Sequence, residues 1–186
     1  LTETYGKFVA EPFERGYGMT IGNSFRRILL SSMEGAAVTK LKIESSLHEF
    51  TAIPGVYEDV SEIVLNVKNL ILRLHAPGPK EIHIKTEKKG DIKAKDIEHD
   101  ETVEIINPDL HIATLTKPTK FHLVMIVNRG RGYVPADRNK GEEDSLGTIP
   151  IDSIFSPVKR VNLHVENTRV GQITDYDKLI LEIWTN

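Results

Sequence analysis

The stretch that decides the fold runs from Arg15 to Ser32 and reads RGYGMTIGNSFRRILLSS. Its glycines lead into a segment with helical spacing, which predicts a helix over Thr20–Met33. We expect Thr20 or Asn23 to be its N-cap and Gly35 to follow its end. One apolar stripe runs along this helix and comprises Ile21, Phe25, Ile28 and Leu29. Such a segment can hold a phosphate, bind another protein or pack into its own core.

Composition narrows these alternatives. The 186 residues can bury a core, in one domain or two small ones. Charged residues make up 27% and the net charge is -3, which argues against a chain built mainly to coat nucleic acid. Cysteine is absent from the sequence, which is typical of a reducing compartment and leaves no thiolate chemistry. No apolar run approaches the roughly 20 residues of a membrane span, so we expect a cytoplasmic protein without membrane contact.

Outside the first helix, hydrophobic periodicity predicts a second helix and many short strands. The second helix covers Glu58–Leu70, where Glu58 and Asp59 favour a helix N-terminus. Alternation and turn residues predict strands over Tyr5–Phe13, Ala37–Glu44, Leu47–Pro54, Ile71–Leu74, Glu81–Thr86, Thr102–Ile106, His111–Leu115, Lys120–Val127, Thr148–Ile151, Val161–Glu166 and Lys178–Trp184. The polar segment Val134–Ser145 is expected to be a mobile loop. This order predicts an α+β fold with a largely antiparallel sheet.

The run Gly16-x-Gly18-x-x-x-Gly22 lies between a predicted strand and a predicted helix, which is the context of a dinucleotide-binding turn. A nucleotide-binding protein is therefore one hypothesis. The spacing has one residue too many, however, and the preceding strand is charged where a buried parallel strand is apolar. A tight turn into a helix explains the glycines better.

The predicted helix Thr20–Met33 is apolar over a wide arc, with Arg26 and Arg27 between its apolar positions. A helix that is apolar on more than one side is buried on more than one side. This pattern favours a protein partner, and arginine is enriched at the centres of such interfaces.

Other motifs give weaker indications. Arg129–Tyr133 (RGRGY) resembles an RNA-binding segment, but it is a single copy and is better explained as a turn. The seven histidines show no metal-ligand spacing, and those at 83, 111 and 122 fall in predicted strands. Glu49, Glu58 and Asp59 are close in sequence, with no nucleophile or base beside them. The sequence predicts no catalytic group, cofactor or metal site.

The segment Glu11–Ser32 (EPFERGYGMTIGNSFRRILLSS) resembles the first helix motif of the α subunits of bacterial RNA polymerase. The similarity continues, in the family's order, through Leu47–Phe50, Ile53–Val56, Glu58-Asp59, Arg129–Ala136, Ser156–Val158 and Asp177–Leu179. The resemblance implies two lobes. A discontinuous dimerisation lobe of antiparallel strands and a helix comprises 1–34 and 159–186, and an inserted, mostly β lobe comprises 35–158.

The resemblance also implies a function and its residues. A homodimer forms through the first helix and nucleates assembly of the polymerase, in which the large β and β′ subunits carry the catalytic site and its metal. The residues implied for the dimer are Ile21, Phe25, Ile28 and Leu29. Those implied for the β subunit are Arg27, Leu30, Pro54, Gly55 and Glu58, and those for β′ are Glu62 and Lys68, both expected to point outward. Arg26 stays open between dimer support and the β contact.

The family pattern extends beyond this sequence at both ends. After Asn186 the family continues into a further helix of the dimer interface, a linker and a small DNA-binding domain. We therefore expect a partial chain that does not bind DNA directly and whose dimerisation is weakened.

Overall fold

The computed structural model of the chain describes residues 2–44, 46, 49–141 and 144–186. In chain order its elements are β1 (Tyr5–Phe13), α1 (Tyr17–Ser31), β2 (Glu34–Ile43), α2 (Val60–Lys68), β3 (Leu72–Leu74), β4 (Lys80–Thr86), β5 (Gly90–Lys93), β6 (Val103–Ile105), β7 (His111–Leu115), β8 (Phe121–Arg131), β9 (Tyr133–Val134), α3 (Ala136–Asn139), β10 (Thr148–Pro150), β11 (Ser153–Ile154), β12 (Val158–Val170) and β13 (Ile173–Thr185). A 3-10 turn at Ala94–Asp96 follows β5. The prediction of an α+β fold with mostly antiparallel strands is confirmed.

The chain forms two compact units, each with its own buried apolar cluster. Unit 1 combines Leu1–Glu34 with Ser156–Asn186, and unit 2 is Gly35–Phe155. Unit 1 is therefore assembled from two distant parts of the sequence, whereas unit 2 is one continuous stretch.

Unit 1 is an antiparallel sheet in the order β1-β13-β12, with α1 packed on one face. Successive side chains of a strand point to opposite faces, so Leu179, Leu181 and Ile183 of β13 share one face. These three leucine and isoleucine side chains belong to the same apolar cluster as Ile21 and Leu29 of α1. The helix therefore rests on the sheet through one side of its surface.

Gly18 and Gly22 let α1 lie close to this sheet. Both are buried in a helix whose other residues are at least partly exposed. A Cβ atom on Gly18 would lie 2.9 Å from the Cβ of Asp177, and one on Gly22 would overlap Leu163 and Leu179. These glycines serve the contact between helix and sheet.

The N-terminus of α1 is capped by a residue from β13. Asp177 Oδ2 accepts hydrogen bonds from the N–H groups of Gly16 at 2.8 Å and Gly18 at 3.1 Å. The predicted caps Thr20 and Asn23 are therefore wrong, because α1 begins at Tyr17 and a distant carboxylate binds its first amides.

The prediction for the other end of α1 is also wrong. The helix ends at Ser31 with Ser32 as its C-cap, and Gly35 lies within β2. Gly35 is needed there for space, since a Cβ atom would overlap the carbonyl group of Phe155.

Unit 2 is built on a sheet in the order β4-β8-β2-β3-β6, with β10 also paired to β2. Its core includes side chains from α2, β4, β7 and β8, such as Ile63, Ile82, Ile112 and Met125. Separate antiparallel pairs join β5 to β7 and β9 to β11. The predicted strand-rich middle of the chain is confirmed.

The second helix begins with a local cap. Asp59 is its N-cap and accepts a hydrogen bond from the Glu62 N–H at 2.7 Å, while Glu62 Oε2 accepts one from the Asp59 N–H at 3.3 Å. This reciprocal arrangement satisfies two amides at the end of the helix. The predicted helix is confirmed, with its ends shortened to Val60 and Lys68.

Two other predictions need correction. In the predicted strand Leu47–Pro54, Leu47 and His48 lie outside the described residues. Residues 49–54 form no strand, although Ala52 makes an isolated bridge with Asp59.

The predicted loop Val134–Ser145 contains α3, and its residues Glu142 and Glu143 also lie outside the described ranges. β5 was not predicted, because Gly90-Asp91 is typical of a turn.

Candidate partner-binding surfaces

The outer side of α1 carries apolar side chains that its own sheet does not cover. Ile21, Leu29 and Leu30 are half-buried against the unit 1 cluster. Phe25 and Ile28, one helical turn apart, are 50% and 54% exposed. The predicted dimer residues thus divide into a half-buried pair that packs in unit 1, Ile21 and Leu29, and a more exposed pair, Phe25 and Ile28.

Arg27 also lies on the exposed surface of α1. Its guanidinium group has no hydrogen-bond or ion-pair partner among the described residues. The predicted β-binding neighbour Leu30 is half-buried in the unit 1 cluster. Arg27 is therefore available to an external carboxylate, whereas much of Leu30 is committed to packing.

The geometry of α1 argues against the nucleotide-binding hypothesis. A phosphate at a helix N-terminus binds free backbone amides. Here Asp177 occupies the amides of Gly16 and Gly18, and Gly22 packs against the sheet. The glycines of this run therefore serve the packing and capping of α1 in unit 1.

The segment of residues 49–59, called loop 49–59 below, carries the predicted β-binding positions of unit 2. Pro54 is exposed and Gly55, with φ of +93°, is partly exposed at its tip. Only glycine adopts that conformation readily. Phe50 and Tyr57 are 82% and 79% exposed, so the loop displays two large aromatic side chains.

Glu58, the remaining predicted β contact, points inward. It is 9% exposed, and its carboxylate accepts hydrogen bonds from the Thr114 N–H at 2.6 Å, the Thr114 hydroxyl at 3.0 Å and His111 Nε2 at 2.8 Å. His111 Nδ1 in turn bonds Asp91. We call these side chains the Glu58–His111–Asp91 cluster. A base therefore does lie beside Glu58, in contrast to the impression from the sequence.

Electrostatics favours the charged forms of this cluster. Burial by itself raises the pKa of Glu58, but the Thr114 N–H and the His111 ring outweigh it, so that the net pKa is lowered. Burial lowers the pKa of His111, but the hydrogen bonds to Glu58 and Asp91 outweigh it, and the net pKa is raised. The charged carboxylate of Glu58 thus binds groups inside unit 2.

The predicted β′ residues lie on α2 with internal partners of their own. Glu62 is exposed but takes part in the helix cap. Lys68 Nζ bonds Asp152 Oδ2 at 3.0 Å, and Asp152 Oδ1 also accepts the Ala136 N–H at 2.9 Å. The N–H of Ala136 and the Lys68 ammonium lower the pKa of Asp152. Lys68 is therefore partly engaged, not simply directed outward.

Sequence reasoning missed several residues of these surfaces. Phe50, Tyr57 and Leu65 are exposed apolar residues beside the predicted contacts. An aromatic residue flanking a Pro-Gly turn is a usable signal for the first two. His111 gave no such signal, because it lies 53 residues from Glu58 and its strand pattern alone explains it.

The remaining motifs have structural explanations. The RGRGY run ends β8 and begins β9, with a turn at Gly132, and Gly130 packs against the Phe155 ring. Within the described ranges, no group of three or more His, Asp or Glu residues is arranged to hold a metal ion. None of the described helices is long and apolar enough to cross a membrane.

The sequence is similar to a known domain and to known proteins. Residues 41–156 match the family model described as the RNA polymerase Rpb3/RpoA insert domain. A DNA-directed RNA polymerase subunit alpha from Desulforamulus reducens is 60% identical over 98% of this chain and 58% of its own length. The subunit alpha of Carboxydothermus hydrogenoformans is 61% identical over 100% of this chain and 59% of its own length. That of Geobacter metallireducens is 56% identical over 100% of this chain and 55% of its own length.

The chain therefore spans less than two thirds of the length of the curated relatives it matches. The matched insert domain nearly coincides with unit 2. The match to the Carboxydothermus hydrogenoformans protein covers the whole chain and therefore both units. The chain belongs to the family of bacterial DNA-directed RNA polymerase alpha subunits.

Proposed function

We propose that this chain is a non-catalytic assembly part of RNA polymerase that pairs with a second copy and binds the β and β′ subunits. Family membership supports a role in DNA-templated transcription. The same resemblance supports a catalytic site and metal in the large subunits and not in this chain, and the composition supports a cytoplasmic protein.

The observation that carries the dimer is the open apolar side of α1. Gly18 and Gly22 hold α1 against its own sheet, and with the helix in this position Phe25 and Ile28 remain about half exposed. Because each of these side chains is already about half covered, burying the remainder gains about 1 kcal/mol per side chain. A second copy that presents the same helix by two-fold symmetry covers both pairs at once.

An Asp substitution at Phe25 or Ile28 tests this proposal. Either change places a charge at the pairing surface, and we expect the dimer dissociation constant to rise by about 100-fold or more, as measured by sedimentation equilibrium. Asn23→Asp adds the same charge to an exposed position elsewhere on α1 and should leave pairing unchanged. A dimer that persists in the Phe25 and Ile28 variants contradicts the assignment.

For the β subunit we propose Arg27 in unit 1 and loop 49–59 in unit 2 as contacts. Arg27 is exposed and has no partner among the described residues, and the loop displays Phe50 and Tyr57 around Pro54. Arginine and tyrosine are enriched among the few residues that dominate the binding energy of protein interfaces. Glu58 supports this surface from inside.

For β′ we propose the exposed side of α2. Glu62 and the apolar Leu65, one turn further along, are exposed there, and Lys68 lies another turn on. Lys68 contributes through its ion pair with Asp152 as well as through its own surface.

A further inference from the structure

Loop 49–59 is attached to the edge of β7 through its backbone. The Tyr57 N–H donates to the Thr114 carbonyl at 2.9 Å, and the Thr116 N–H donates to the Gly55 carbonyl at 2.9 Å. Val56 forms an antiparallel bridge in the same register. The second half of the loop thus runs beside β7 like a short added strand, and its position depends on this pairing.

Glu58 completes the attachment with its side chain. A buried carboxylate is tolerated as a charged group only while hydrogen-bond donors surround it. Thr114 supplies two of these donors and His111 the third. If the His111 donor is lost, outward movement of the loop returns the charge to water, and Tyr57 moves with it.

His111 has a carboxylate at each ring nitrogen. Nε2 bonds Glu58 and Nδ1 bonds Asp91 on β5. A neutral imidazole carries one N–H, so it donates to one carboxylate and directs a lone pair at the other. The imidazolium donates to both. The charged ring therefore fits this position better than the neutral ring.

We propose that His111 is a positioning residue for loop 49–59, and that its charged form holds the loop against β7 by binding Glu58 and Asp91 together. The functional meaning of this inference rests on the proposed contact between the loop and the β subunit.

Among the described residues, few charged groups surround the His111 ring. Of the charged residues on the packed elements, Glu58 and Asp91 contact the ring, Lys93 is its register partner on β5, and Asp59 binds Glu62 at the start of α2.

The pKa of His111 is raised above its ordinary value of 6.5. The charged ring therefore stabilises the folded cluster fully below pH 6.5, and this stabilisation is lost as the pH rises through the raised pKa. The pKa of Glu58 is lowered from 4.5, so its contribution is lost only on acidification below that range.

Amide hydrogen exchange on the full chain tests the inference. We expect the protection factors of the Tyr57 and Thr116 amides, which correct for intrinsic exchange, to fall about fivefold or more between pH 6 and pH 8. In His111→Gln they should be low and independent of pH, and Asp91→Asn should weaken the pH dependence. His122→Gln is the matched control, because His122 bonds the carboxylate of Glu44 and not that of Glu58. This substitution should leave the pH dependence of the Tyr57 and Thr116 protection factors as in the wild type.

Capture of the isolated β subunit, measured in parallel at both pH values, separates this inference from the proposed function. Flat protection of Tyr57 and Thr116 in the wild type overturns the positioning role of His111. A pH-dependent loop with β capture that is the same in wild type and His111→Gln supports the positioning role and overturns the assignment of the loop to β. Protection and capture that change together support both.

Discussion

At the scale of single residues, Arg27 and Glu58 illustrate two different positions for charged groups expected to serve one partner. Arg27 stands on the exposed side of α1, and its charge has no internal partner among the described residues. Glu58 is buried and its carboxylate is surrounded by donors from β7. Only the first can meet a partner's carboxylate directly, while the second determines where the loop lies.

Arg27→Ala should therefore weaken β capture without changing the fold. An exposed side chain contributes little to the stability of its own unit, whereas truncation of an interface arginine costs about 2 kcal/mol or more, equivalent to about 30-fold in affinity. The measurement is the affinity of the chain for isolated β, with thermal unfolding as the check on folding.

Arg15→Ala is the matched control, because it removes the same charge from an exposed position of unit 1 that pairs with Asp175. Arg26→Ala resolves the open assignment of the arginine pair, according to whether pairing or β capture weakens. Unchanged β capture in Arg27→Ala excludes a direct role for this residue.

Predictability from the sequence also differs from residue to residue. The exposed apolar side chains of α1 follow from its wide apolar arc, because its own sheet covers only part of that arc: Ile21 is half-buried, whereas Phe25 and Ile28 are about half exposed. The neighbours of Glu58 do not follow, since His111 and Asp91 belong to strands whose pairing no local pattern specifies. Periodicity reports which side of an element is apolar, and not which distant side chain meets it.

At the scale of elements, the two long helices differ in how they begin. The prediction of α2 is accurate because its cap is local, with Asp59 and Glu62 three residues apart in the sequence. The start of α1 was placed too late because its cap comes from β13. A helix whose N-terminus is satisfied from a distant strand carries no local signal of where it begins.

Asp177→Ala should destabilise unit 1 through this cap. The change leaves the amides of Gly16 and Gly18 without their acceptor, one of them buried, and we expect a loss of about 1 to 2 kcal/mol in the free energy of unfolding. Urea denaturation followed by circular dichroism measures the loss. Asp175→Ala removes an exposed carboxylate of the same strand and should change stability by less than about 0.5 kcal/mol. Equal effects of the two changes contradict the capping role.

At the scale of the whole molecule, two separate cores imply that the units differ in what they need to fold. Unit 2 has a continuous sequence and a cluster that includes α2 and strands of its own sheet. The smaller cluster of unit 1 depends on strands from both parts of its sequence. The exposed pair Phe25 and Ile28 belongs to unit 1.

A fragment of residues 35–155 should therefore fold alone as a monomer with a cooperative unfolding transition, measurable by sedimentation and urea denaturation. A fragment of residues 35–147 lacks β10, which pairs with β2, and should be less stable. Dimerisation of the 35–155 fragment would place the pairing surface in unit 2 and contradict the role proposed for α1.

The capping of α1 by Asp177 also has a consequence in time. Gly16 and Asp177 are 161 residues apart, and β1 pairs with β13 over a similar separation. At a translation rate of about 5 to 20 residues per second, the ribosome needs on the order of 10 to 30 s to reach Asp177 after Gly16. During that interval unit 2 can fold, while α1 still lacks strands β12 and β13 of the sheet on which it packs. The nascent chain thus exposes its pairing helix in final form only after unit 2 has been synthesised, which delays association until β12 and β13 have been made.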